Sequence, residues 1–206
     1  MKFLNKLLLP VLALGVIAGC ETHESTTAEV KTTKDVLVSS MKPKNQATMD
    51  RLNQDDLQAA CSNAANVAGD AATIEALRKE AEASVVYPAD GNYLGDWKRG
   101  NEVAANGKGL QWNDNPSEPN GGNCYACHQL DPKEVAYGTL GPSLTNYGMR
   151  GQSEMMLKYT WAKIYNPHVY NVCSQMPRFG SQQILTEQQL KDIMALLLDP
   201  NSPVNQ

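Results

Sequence analysis

The segment Cys124-Tyr125-Ala126-Cys127-His128 carries two thiols three positions apart, with an imidazole directly after them. On one helical turn both sulfurs can reach the two vinyl groups of a single porphyrin and form thioethers. The adjacent ring then points at the iron from one side. The spacing predicts an attachment site for one covalent c-type haem, with Cys124 and Cys127 as thioether sulfurs and His128 as an axial ligand. Two other chemistries share the pattern. A zinc knuckle needs a fourth ligand, and Cys61, Cys173, His23 and His168 show no second paired spacing. A thioredoxin-like redox pair is expected beside a βαβ pattern, and no convincing strand run lies nearby.

His128 leaves one axial position. Met149, Met155, Met156, Met176, Met194 and His168 are the candidates. Met176 precedes Pro177 in a loop, where the proline holds it in extended backbone; that suits a thioether reaching inward. Met155, Met156 and Met194 sit at helical positions and read more simply as core. Met149 and His168 remain as alternatives to Met176. A thioether raises the reduction potential relative to two imidazoles. With both positions filled, small substrates do not reach the metal, which favours electron transfer over oxygen chemistry.

The elements that must hold these groups begin with an export signal. Lys2 and Lys6 form a basic start, and Leu7 to Ile17 is an apolar run too short to span a bilayer as a mature helix. It ends in Val16-Ile17-Ala18-Gly19-Cys20, which resembles the lipobox of bacterial lipoproteins. Residues 1–19 are therefore expected to be cleaved, and Cys20 to carry lipid. Stable anchoring needs more than one acyl chain. The expected location is the periplasm, with the chain held to a membrane by its N-terminal lipid. An ordinary secretory signal ending near a cysteine is the alternative. Covalent c-haem is attached outside the cytoplasm, so the signal and the motif agree.

Two of the five cysteines remain unassigned. In an oxidising compartment Cys61 and Cys173 are best read as a disulfide, although two buried free thiols would also fit. Loss of Lys2 and Lys6 leaves 16 of the 18 basic residues against 22 acidic ones. That balance does not favour nucleic acid or bare anionic lipid as a partner.

Residues 20–49 read as a flexible tether, Thr- and charge-rich at their start. Residues 50–87 read as a helical N-terminal extension, with Leu52, Leu57, Ala60 and Cys61 on one helical face and Ile74, Leu77 and Ala81 on another. The break falls near Ala68-Gly69-Asp70. Residues 88–206 are the expected haem domain. Gly95–Asn106 and Ser153–Tyr165 read as helices, the second with Met156, Tyr159 and Lys163 along one face. Thr186 caps the last helix, with Gln189 in the capping-box position. Leu190, Ile193, Met194, Leu197 and Leu198 make its stripe, and Asp199-Pro200 stops it. Few strand signals and 42% hydrophobic residues fit an all-α chain whose modest core a haem would complete.

These residues resemble a class I cytochrome c from Pro88 to about Asp199. The resemblance implies a helix before the haem motif packing on the last helix, with Gly100 at their crossing. It also implies that the Pro142 carbonyl accepts from His128 as proximal support. The last helix lacks the aromatic often found at that crossing, and Met194 or Leu197 is the expected substitute. Narrower blocks resemble SoxX, the monohaem cytochrome family of the Sox sulfur-oxidation system. They are Tyr87-Pro88-Ala89-Asp90-Gly91, Gly122-Asn123-Cys124-Tyr125-Ala126-Cys127-His128, Tyr137-Gly138-Thr139-Leu140-Gly141-Pro142 and Met176-Pro177-Arg178-Phe179-Gly180. That resemblance implies a heterodimer with a SoxA-type monohaem or dihaem cytochrome. The complex would oxidatively join thiosulfate to a cysteine of the carrier SoxYZ (L-cysteine S-thiosulfotransferase activity), with the chemistry at sulfur in the partner. This subunit would receive the electrons and pass them to a soluble cytochrome c. Tyr125, Tyr147, Trp161 and Phe179 are expected in the core, at the pocket or at the partner face. The rival expectations are a free periplasmic electron shuttle, and a haem or zinc sensor on a lipid anchor.

Overall fold

The computed structural model describes residues 32–62 and 70–206. The export segment and Cys20 lie outside them. Among the described residues six α-helices follow in order: α1 (Thr33–Ser40), α2 (Asp56–Ser62), α3 (Ala71–Ala83), α4 (Trp97–Ala105), α5 (Glu154–Tyr165) and α6 (Glu187–Leu198). Short 3-10 turns connect them, and among the described residues the only β pairing is the isolated bridge Lys44–Ala47. The chain is all-α. No helix among the described residues is long and apolar enough to cross a membrane.

Each helix of the haem domain starts where a short polar side chain satisfies its free N–H groups. Asp96 accepts from the Lys98 N–H at the start of α4, and Ser153 accepts from the Met156 N–H at the start of α5. Thr186 and Gln189 form a complete capping box on α6. Helix α6 then departs from a one-sided stripe. Every residue from Leu190 to Leu198 is buried, Lys191 and Asp192 included. It is covered by α4 and α5, by the turn at Tyr147 and by the C-terminal turn Pro203–Asn205. Fully burying a leucine side chain contributes about 1.5–3 kcal/mol, so this one helix anchors the domain.

The α4–α6 crossing is the tightest contact. A Cβ on Gly100 would lie 2.1 Å from the Asp192 carbonyl oxygen and 3.0 Å from Leu196 Cβ. Asp192 and Leu196 make the crossing, in place of the expected Met194 or Leu197. Asp192 does what an aromatic cannot. Its carboxylate, 3% exposed, accepts from Arg99 Nε and Nη2, the Asp96 N–H and Gln188 Nε2, each at 2.8–2.9 Å. Burial opposes its ionisation, but these donors outweigh that and hold the carboxyl below its ordinary pKa.

The helical extension is tied to the core at two places. Near the end of α3, Ser84 accepts from Asn166 Nδ2 at 2.8 Å, and the Val86 carbonyl accepts from Trp161 Nε1 at 2.8 Å. Cys61 on α2 is bonded to Cys173, with an S–S distance of 2.07 Å. The expected break at Ala68-Gly69 lies outside the described residues; Asp70 caps α3 through the Ala72 and Thr73 N–H groups.

The span 20–49, expected to be a flexible tether, is structured from Thr32 onward. Thr32 and Asp35 form a capping box that starts α1. The turn at Lys44–Ala47 then docks on the loop 110–114. Asn45 Nδ2 donates to the Trp112 carbonyl at 2.7 Å, Gln46 Nε2 donates to the Gln111 carbonyl at 2.7 Å, and the Lys44 ammonium sits 3.2 Å from the Trp112 ring centre. Such pairings across more than sixty residues leave no local periodicity to read.

Candidate haem-binding site

The cysteine motif lies on a 3-10 turn, Cys124–Ala126. Asn123 enters it at φ 47°, a left-handed conformation that asparagine tolerates better than most residues. The His128 N–H returns to the Cys124 carbonyl at 2.9 Å. A second layer of backbone holds this turn. The Gly138 N–H donates to the Tyr125 carbonyl, Gly141 to Cys127 and Leu144 to Gln129, each at 2.8 Å. His128 Nδ1 lies 2.7 Å from the Pro142 carbonyl, so the proton on that nitrogen fixes the ring and leaves Nε2 free to ligate. Gly141 is required at its position: a Cβ there would stand 2.1 Å from His128 Cε1.

A cavity of about 460 Å³ opens above this turn. Cys124, Cys127, His128 and Gly141 line it on one part, and Asn171, Ser174, Gln175, Met176 and Phe179 on another. Of the six candidates for a second axial ligand, Met176 alone lines it. Met149 and Met155 are exposed, and Met194 is fully buried in the core. Met156 accepts from the Thr160 hydroxyl within α5. His168 is buried, with Nδ1 bonded to the Val172 carbonyl. Burial, partly offset by that carbonyl, pushes its imidazole below the ordinary histidine pKa.

The loop that carries Met176 is a partition between two spaces. On its far side is a groove of about 950 Å³, lined also by Cys61, Asp55, His168 and Arg178. Arg178 pairs with Asp55 of the extension at 2.6 Å, and the Met176 N–H donates to Ser174 Oγ at 3.2 Å. The Met176 loop is thus fastened to the extension through both the disulfide and an ion pair.

The residues present fit a c-type haem. Two sulfurs, an imidazole with its tautomer fixed and one thioether line a single cavity. The Cys124 thiol is enclosed, although the residue as a whole is half-buried. Burial pushes it up to about 12, far from the depressed value of a reactive redox thiol. Among the described residues, no three His, Cys, Asp or Glu side chains group as a metal site of their own.

The four aromatics separate clearly. Phe179 lines the cavity. Trp161 and Tyr147 are buried, Trp161 against Tyr93 with ring centres 5.8 Å apart and Tyr147 bonded to Thr160. Tyr125 is half-buried, 3.4 Å from Asn101 Oδ1. Sequence reasoning missed Lys163, which lines the cavity from α5. The available signal was a cation among Met156 and Tyr159 on an otherwise apolar helix face.

Comparisons with known proteins agree with this geometry. Residues 98–199 match the family model for Cytochrome c. An uncharacterized lipoprotein of Aquifex aeolicus (strain VF5) is 42% identical over 155 residues, which cover 74% of this chain and 73% of the relative. The chain belongs to the cytochrome c family, whose members bind haem c covalently and transfer electrons.

Proposed function

We propose that this chain is the monohaem, electron-accepting subunit of a thiosulfate-oxidising complex, with one haem c on Cys124 and Cys127 and with His128 and Met176 as axial ligands. The observation that carries the electron-transfer role is the single cavity lined by both sulfurs, the imidazole and Met176. When bound, the haem supplies one-electron storage. The chain does the rest. Cys124 and Cys127 fix the group covalently, and the Pro142 carbonyl orients the His128 ring. Met176 would hold the iron together with His128, and a metal held on both sides would exchange charge rather than bind substrate.

The sulfur-oxidation role rests on the motif blocks that resemble SoxX. The partner is a SoxA-type cytochrome, the substrate carrier is SoxYZ and the acceptor is a soluble cytochrome c. The extension supports a fixed subunit over a free shuttle, since it is committed to the domain by Cys61–Cys173 and Asp55–Arg178. The site of action is the periplasm, with lipid on Cys20. The lipobox supports this, as does the description of the Aquifex relative as a lipoprotein. The test is reduction of the haem by thiosulfate with and without a co-purifying haem protein and carrier. Reduction only in the complete mixture is the expected result. A haem that stays oxidised in that mixture, from a protein that purifies alone, would overturn the assignment.

A further inference from the structure

The haem cavity has one charged side chain in its lining among the described residues, other than the titratable His128: Lys163. No aspartate or glutamate lines it. Lys163 is half-buried on the last turn of α5. Its ammonium makes no ion pair or hydrogen bond with any described residue, and the closest aromatic partner is the Tyr170 ring, 5.8 Å away. The other lysine of α5, Lys158, is paired with Glu154 at 2.7 Å. A half-buried cation with no counter-charge is costly, and burial accordingly lowers the Lys163 pKa. An anion that enters the cavity would offset that cost. Asn171, Ser174 and Gln175 line the cavity as well and carry uncharged polar groups suited to carboxylate oxygens.

We propose that Lys163 is the counter-ion for the haem propionates, binding one carboxylate with help from the polar groups of the Asn171–Gln175 segment. Haem brings two carboxylates, and this cavity offers one cation to meet them. A positive charge beside the porphyrin also favours the reduced state, so Lys163 sets the reduction potential as well as the seating of the group.

The inference rests on the haem reading, and one set of samples separates the two. Matured holoprotein is prepared as wild type, Lys163→Gln and Lys163→Arg, stained for covalent haem after denaturation, and titrated potentiometrically. The expected result is full haem attachment in all three. The equilibrium for reduction should weaken by about tenfold in K163Q, or ~59 mV for one electron. K163R should stay within about twofold of wild type. The propionate bands in resonance Raman should shift in K163Q and hold in K163R. A haem-loaded K163Q with unchanged potential and unchanged propionate bands overturns the role of Lys163 and leaves the haem reading intact. A wild-type protein without covalent haem overturns both. If K163Q does not load haem, K163M is read in its place by the same two measurements.

Discussion

The two parts of the cavity wall are built by different means. The His128 part is made from within the domain. Backbone bonds from Gly138, Gly141 and Leu144 clasp the cysteine turn, and Pro142 holds the imidazole. The Met176 part is held from outside, by a disulfide to Cys61 and an ion pair to Asp55, both on the extension. The difference teaches that the placement of His128 is intrinsic to the haem domain, whereas the placement of Met176 depends on a segment that precedes it.

The largest expected effect tests the intrinsic part. Cys124→Ala combined with Cys127→Ala should abolish covalent haem entirely, measured by haem stain on denaturing gels. Retained stain would mean that the thioethers form elsewhere. Next, Met176→Ala should leave the haem attached but open its second axial position. Carbon monoxide should bind the reduced protein, and the reduction equilibrium should weaken by at least about tenfold, ~59 mV. A reduced mutant that excludes carbon monoxide would remove Met176 from the ligand set.

Cys173→Ser sharpens the contrast. The bridge closes a sequence separation of 112 residues, and the chain-entropy model assigns such a loop about 5 kcal/mol. At this chain length that corresponds to a melting temperature lower by roughly 10 °C. Haem attachment and the His128 side should be unchanged, while carbon monoxide gains partial access. An unchanged melting temperature would contradict the dependence on the extension.

The smallest effect is a slope with pH. Burial lowers the His168 pKa below 6.5, as do Arg178 and Lys163, against the opposing pull of the Val172 carbonyl and Asp55. The unfolded histidine therefore binds a proton first as pH falls. Stability is lost from about pH 6.5 downward through the folded pKa and is regained as pH rises. Denaturant titrations of His168→Asn should lose this part of the acid slope. An identical slope would assign it to other groups.

What was legible beforehand follows the range of the forces involved. The cysteine motif, the Thr186–Gln189 capping box and the stop at Asp199-Pro200 are local, and each was readable from neighbours a few positions apart. The burial of α6 on every side was not, because Lys191 and Asp192 look like a solvated face until Asp90 and Arg99 are brought to them. The docking of residues 44–46 on loop 110–114 was hidden for the same reason. Lys163 reads only as one member of a helix face with Met156 and Tyr159 until the cavity beside it is known.

The interlock at Gly100 has a consequence for the order of events in maturation. Helices α4 and α6 are separated by about ninety positions, and neither can settle without the other. A polypeptide delivered N-terminus first exposes its thiol pair well before the closing helix arrives. In the folded chain the Cys124 thiol is enclosed, and burial raises its pKa to about 12. Thioether formation at this pair is therefore expected while the last segment is still in transit, before α6 packs on α4 at Gly100.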